Sequence, residues 1–371
     1  MLRVWKCEYQ ETGELVMPKR RVMLVLGSGA TVGAGFKVGP MGRYNPPTDR
    51  DFFVNRFVET LVTEENYPAL WGYRSRRSLE ETWSAIDLYA KLAYGGVLSE
   101  EEPLGQTKKH MDQRAKKDRS YKSKMERESC LWRLPAMAGW ELRELVQRVL
   151  GKMRPPAELK SPLKTLAEDL RKRVSLQGIT TFNYDTSVER LMKNELRPVW
   201  PGRIEKSDNG KTPLYKLHGS LSWEENEKGV RPNGFDQLGA VQMAFRPDGS
   251  WVQPAIVGPT LFKQEITIDF QINASALFFK RLWRMCWEAL REVNALVFIG
   301  FSFPSTDFHA HALFESLVRI KTFEKVAVCT KCDKDAFDRA RQIFGESVEH
   351  FDGSLEDLAT RCQDLAGFVN G

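Results

Sequence analysis

Asn183 and Asp185 stand two residues apart in GITTFNYDTSVE (178–189), where an apolar run ends and helix-forming sequence begins. An amide that donates and accepts, next to a carboxylate, can serve a reacting centre. The same pair can also do no more than cap a turn into a helix. His218, one of five histidines, lies in KLHGSLSW with Gly219 beside it to leave room for a ligand. An imidazole suits proton transfer near neutral pH, although a lone histidine at a strand end is more simply a satisfied core residue. RRVMLVLGSGATVGAGF (20–36) supplies a third group, Gly27, Ser28, Gly29 and Ala30, directly after an apolar run. Glycines there either let the backbone approach a phosphate or simply make a tight turn. The pattern is not G-x-G-x-x-G, since Val32 holds the third glycine's place and Gly33 comes one residue late. It is not a P-loop either, because no Gly-Lys-Ser/Thr follows. Gly300, Phe301 and Ser302 end a later apolar run and form a fourth group.

Other candidates are weaker. His309 and His311 are two apart on an expected helix and so point to different faces. Cys329 and Cys332 form one C-x-x-C with no second pair, where a structural zinc needs four ligands. The basic stretch 106–129 could touch phosphates, but reads first as a solvated, flexible charge run. The tryptophans at 71, 83, 132, 140, 283 and 287 fall in helical segments and read as core or interface.

The elements that must position these groups can be read from periodicity. Residues 22–26 are a short β-branched run suited to a strand buried on both faces. From 51 the pattern turns helical, with 106–129 as an exposed connector and 152–162 as a linker. Helix and strand then alternate. The expected strands are GITTFN, the start of LYKLHGSLSW, NALVFIGFSF, EKVAVCT and SVEHF, with a hairpin around Pro247–Gly249. A helix is expected from Ser305 or Thr306, one of which caps it. This alternation implies an α/β fold, a Rossmann-like parallel sheet flanked by helices with a helical insertion. The expected boundaries are an N-terminal extension at 1–20, a Rossmann-like core at 21–55 and 160–371, and a helical subdomain at 56–159. In such sheets ligands bind beyond the carboxyl ends of the strands, so the four groups would share one edge.

Composition limits the alternatives. The 371 residues are 42% hydrophobic, enough for one large core or two smaller ones. A net charge of +6 is a slight basic excess for this length and argues only weakly for nucleic acid. Six scattered cysteines read as reduced thiols of a cytoplasmic protein. No apolar run reaches membrane-spanning length, and the first ten residues lack the features of a signal peptide.

Taken in order, LGSGA, PPTDRDFF, TFNYD, LHGSLSW, IVGPT and GFSFPSTDFH resemble the sirtuin-like domain of bacterial anti-phage defence proteins, NAD-consuming relatives of the protein deacylases. The resemblance spans about 21–60 and 165–310. It implies that Gly27, Ser28, Gly29 and Ala30 wrap the NAD phosphates, with Asp49 and Thr181 also on the cofactor side. It implies that Asn183 and Asp185 lie near the nicotinamide ribose, that His218 is the catalytic histidine, and that Gly300, Phe301 and Ser302 line the adenosine side. Asp185 would stabilise positive charge or merely cap the following helix. The four zinc-binding cysteines of the deacylases are absent, and Phe182 stands where they carry glutamine, which puts deacylation in doubt. The implied activity is hydrolysis of NAD, as substrate and with no metal, to ADP-ribose and nicotinamide. The implied setting is a homo-oligomeric effector controlled by a HerA-like hexameric ATPase or a short Argonaute. The rival expectations are a deacylase or ADP-ribosyltransferase, and an inactive nucleotide- or nucleic-acid-binding subunit.

Overall fold

A computed structural model describes residues 19–48, 50–73, 78–94, 105–127, 130–156, 161–201, 210–232, 240–246, 248, 250–258, 274–304 and 307–371. In chain order the elements are β1 (Arg21–Leu26), α1 (Ser28–Gly33), α2 (Arg56–Leu61), α3 (Pro68–Trp71), α4 (Leu79–Tyr94), α5 (Gly105–Lys117), α6 (Arg119–Arg127), α7 (Cys130–Leu150) and α8 (Pro162–Arg173). There follow β2 (Ser175–Thr181), α9 (Ser187–Leu191), β3 (Leu196–Pro198), β4 (Thr212–Lys216), β5 (Gly219–Asn226), β6 (Gly229–Pro232), β7 (Ala244–Phe245) and β8 (Trp251–Ile256). The chain closes with α10 (Ala274–Arg291), β9 (Ala295–Ile299), α11 (Phe308–Val318), β10 (Lys325–Thr330), α12 (Lys334–Phe344), β11 (Val348–Asp352), α13 (Leu355–Thr360) and α14 (Cys362–Asn370).

Seven strands form one parallel sheet in the order β11-β10-β9-β1-β2-β4-β3. The Rossmann-like α/β expectation is met. β1 explains how its sequence does this. Val22, Leu24 and Leu26 pack into one apolar cluster with α8, α13 and α14, while Met23 and Val25 pack into another with α10 and α11. A strand buried on both faces must be apolar throughout, which is why RVMLVL shows no alternation. The chain leaves β1 in one direction to β2 and β4, and later in the other to β9 and β10. β1 is therefore the topological switch point, and the crevice opens beyond its carboxyl end.

Three features depart from the sequence reading. A second, antiparallel sheet of order β6-β5-β8-β7 begins at Gly219, so LYKLHGSLSW is two strands of different sheets rather than a strand and a loop. The β7–β8 hairpin forms as expected, although Pro247 and Gly249 lie outside the described residues.

The described part of 106–129, up to residue 127, is helical and packed rather than an exposed connector. α5 and α6 bury Met111, Ala115 and Tyr121 in a helical layer with α2, α3, α4 and α7. Its basic residues include Arg114, which is drawn inside: it pairs with Glu141 at 3.4 Å and with Glu144, and lies over the rings of Tyr121 and Tyr67. A helix of low mean hydropathy is held here by a few buried positions and one enclosed cation, a pattern that charge counting hides.

The linker reading of 152–162 also changes. Arg154 exchanges both backbone hydrogen bonds with Lys37, and Met153 is buried. Residues 157–160 lie outside the described set.

Candidate active site

Strand register gathers the site. Thr181 of β2 lies opposite Leu26 of β1 and Lys216 of β4, while Leu26 lies opposite Ile299 of β9. The next residues, Gly27, Phe182, Leu217 and Gly300, therefore leave the sheet along one edge, and the four chemically distinctive groups meet there.

The glycines bring backbones into contact. Gly27 N–H donates to Ile299 O at 3.0 Å and Gly29 N–H to Gly300 O at 3.1 Å. A Cβ on Gly27 would sit 2.4 Å from Gly300 O, and Gly300, at φ +58°, has no room for one beside Ala30 N. These two amides are spent on the neighbouring strand end, so they are not the donors facing a ligand. Ala30 turns into the core. Thr181 is likewise buried: its hydroxyl donates to Leu26 O and accepts from Asn183 N–H. The structure thus places Ala30 and Thr181 behind the crevice rather than in its wall. Asp49 lies outside the described residues.

Asn183 is clamped from behind. Its Nδ2 donates to Gly27 O at 2.9 Å and to Thr31 Oγ1 at 3.1 Å. Its Oδ1 accepts no hydrogen bond among the described residues, and the side chain lines the crevice. The Thr31 hydroxyl in turn donates to Asp185 Oδ2 at 3.1 Å. The other carboxylate oxygen, Oδ1, accepts from Ser187 N–H at 2.8 Å at the start of α9. Both oxygens of Asp185 are thus engaged within the protein, Oδ1 at the turn into α9 and Oδ2 across to α1, which favours a structural role. Beneath it the fully buried Lys216 ammonium donates to Asp185 O and to Glu189 at 2.8 Å.

His218 lies between β4 and β5, separated from the end of β4 by Leu217, and is almost fully enclosed. It packs against the rings of Tyr184, Phe182 and Trp283, with centroids 5.1–6.2 Å away. Its carbonyl accepts from Val257 N–H, and Tyr184 Oη donates to Val257 O, so the segments after β2, β4 and β8 lock together. Nε2 of His218 lies 3.3 Å from Oδ2 of Asp307. Asp307, not Ser305 or Thr306, caps α11, with Oδ1 accepting from Ala310 N–H at 3.1 Å; residues 305 and 306 are outside the described set.

Two cavities flank the glycine turn. One, of about 110 Å³, is lined by Asn183, Asp185, His218, Asp307, Phe182 and Phe301, and is closed from the helical layer by Phe52, Leu79 and Glu80. The other, of about 580 Å³, extends over Gly29, Lys37, Arg50, Thr330, Lys331 and Asp333. Ser28, Thr48, Gly300 and Ser302 belong to both, so the two form one cleft of ligand-binding size. Among the described residues, the smaller cavity has three carboxylates and one imidazole in its wall and no lysine or arginine.

Sequence reasoning missed Thr31, Glu80 and Asp307. Thr31 sits inside the glycine-rich segment and was hidden by it. Glu80 is nearly fully buried yet lies in the first turn of an otherwise ordinary amphipathic helix. Asp307 carried a usable signal: an acid three residues before Ala310 at the start of an apolar helix is a cap residue. His309 lies near Trp283, and His311 Nε2 is 3.1 Å from Pro304 O, so neither joins His218 at the crevice. Among the described residues no cluster of three or more His, Cys, Asp or Glu is arranged to hold a metal, and no helix is long and apolar enough to cross a membrane.

Fold and site together define an open parallel-sheet α/β protein with a nucleotide-sized cleft at its switch point. Residues 177–343 match the profile of a SIR2-like domain. That span covers Asn183, Asp185, His218, Gly300 and Asp307, and leaves out β1 and the glycine turn. No curated protein matches the chain by sequence. Among solved structures, similar chains include a triple mutant of a Sir2 homologue with 2'-O-acetyl-ADP-ribose, at 12% identity, 94% coverage of this chain, 92% of that one and TM-score 0.42. A Sir2 mutant with a p53 peptide and NAD is 13% identical, with 94% of each chain covered and TM-score 0.40. Likeness at this level says nothing of activity.

Proposed function

We propose that this protein hydrolyses NAD at the bond between nicotinamide and ribose, giving ADP-ribose, nicotinamide and a proton. The observation that carries the reading is the charge difference between the two cavities. The smaller one offers three carboxylates and an imidazole, and the larger one sets Lys37, Arg50 and Lys331 against two carboxylates, Asp333 and Glu356. NAD has a cationic pyridinium at one end and an anionic pyrophosphate in its middle. The pyridinium suits the acidic cavity and the pyrophosphate suits the basic side of the glycine turn.

In this reading Asn183 Oδ1 accepts from a ribose hydroxyl or from the attacking water, held in place by its Nδ2 ties to Gly27 and Thr31. The carboxylate-lined wall stabilises the positive charge that develops as the glycosidic bond opens. His218 takes the proton from the hydroxyl or water. Incubating the purified chain with NAD and separating products by chromatography tests this. His218→Ala and Asn183→Ala should each lower turnover by about 10²-fold or more while circular dichroism stays that of the parent. A variant that cleaves NAD at the parent rate would remove its residue from the mechanism. An acetyl-lysine peptide in the same assay distinguishes a deacylase.

The anti-phage role, self-assembly and hexameric ATPase partner rest on the sequence resemblance alone. Light scattering of the protein, alone and mixed with such an ATPase, tests the last two.

A further inference from the structure

We propose that Asp307 is a positioning residue that acts through His218, fixing the ring and holding the imidazolium that forms when His218 takes a proton. The inference rests on the hydrolase reading above only for its catalytic consequence; the pairing itself can be tested without turnover.

The geometry has three parts. First, Asp307 Oδ2 faces His218 Nε2 at 3.3 Å, and both side chains are about 95% buried. Second, the carboxylate is held at its other end. Oδ1 accepts from Ala310 N–H, and Asp307 N–H donates to Pro304 O at 3.0 Å, so the group cannot swing towards solvent without uncapping α11. Third, the surroundings of the pair are aromatic. Phe182, Tyr184 and Trp283 enclose His218, and in that medium a carboxylate acts on an imidazole more strongly than in water.

Among the described residues, the ionisable groups lining the cavity beside His218 are Asp307 at the start of α11, Tyr184 and Asp185 after β2, and Glu80 from α4 across it. From α10 the neutral Trp283 packs against the ring. Of these, Asp307 places an oxygen 3.3 Å from Nε2 of the ring. During the proposed step the proton leaves the hydroxyl or water oxygen for an imidazole nitrogen. Asp307 stays ionised and offsets the charge, then the proton passes to solvent.

Asp307→Asn is the informative variant, because asparagine caps helices as well as aspartate does. It removes the charge and keeps the cap, while Asp307→Ala removes both. The first measurement is an NMR titration of ring-labelled histidine, with His218→Ala assigning the resonance. The midpoint for His218 should move to lower pH in Asp307→Asn, with the thermal midpoint close to the parent's. An unchanged His218 midpoint overturns the proposal and leaves Asp307 as a helix cap only. The second is the pH profile of NAD cleavage. In Asp307→Asn its acidic limb should move to lower pH and the plateau kcat should fall by about 10-fold or more, with a smaller change in KM. A parent that never cleaves NAD but shows the shifted titration would overturn the hydrolase reading and leave the pairing standing.

Discussion

Thr31 joins two of the residues that matter most. One hydroxyl accepts from Asn183 and donates to Asp185. Thr31→Val keeps the shape and removes the bridge. It should cost about 1–3 kcal/mol of stability, since Asp185 Oδ2 loses a buried partner. It should also lower kcat more than it changes KM, because Asn183 loses one of the two contacts that aim its amide. Denaturant unfolding and steady-state kinetics on the same preparation would show both; an unaltered kcat would mean that Gly27 O alone holds Asn183. At this scale the sequence revealed residue types and concealed their bonds. Asn183, Asp185 and His218 stand out because each breaks an apolar run. Nothing local to Asp185 says that its carboxylate is already used by Ser187 and Thr31, because Thr31 lies 154 residues away.

Between elements, Gly27–Ala30 and Gly300–Phe301 approach very closely. Gly300→Ala would force a side chain into the left-handed region and press it to within 2.3 Å of Ala30 N. Gly345 is a control: its φ is +69°, but a Cβ there meets nothing. Gly345→Ala should cost about 1 kcal/mol, the ordinary penalty of that conformation. Gly300→Ala should cost at least about 2 kcal/mol more, or prevent folding, because the obstacle is backbone. Equal melting temperatures for the two would mean the strand ends can separate freely. Six of the seven parallel strands were legible, since continuous apolar runs bounded by glycine have few other uses; the three-residue β3 was not. In the antiparallel sheet the β7–β8 hairpin was legible and β5 and β6 were not: β5 shifts register between Ser220 and Glu224, and the shift blurs the alternation that marks a half-buried strand.

Across the whole molecule, the helical layer has its own electrostatics. Glu141 is fully buried and accepts from Tyr121 Oη at 2.7 Å and Leu70 N–H at 2.8 Å. Burial pushes its carboxyl up to about 7 against the pull of Arg114. An unfolded glutamate releases its proton near 4.5, so between there and about 7 the folded state binds more protons and stability falls as pH rises. From pH 5.5 to 8.5 this group should remove about 2 kcal/mol. Glu141→Gln should lose correspondingly less over that interval in urea unfolding; parallel losses in parent and variant would show that Glu141 is already ionised at pH 5.5. This network could not be read in advance, because Arg114 looks like any other residue of a basic stretch until Tyr67 and Tyr121 enclose it.

The alignment of strand ends at Leu26, Thr181, Lys216 and Ile299 has a consequence for how such a chain can diverge. Adding or deleting one residue inside β2 would turn every later side chain of that strand over, sending Asn183 to the α10 side and an apolar neighbour into its place. A lineage can therefore rewrite the helices above the cleft residue by residue, while the lengths of four short strands stay fixed by arithmetic.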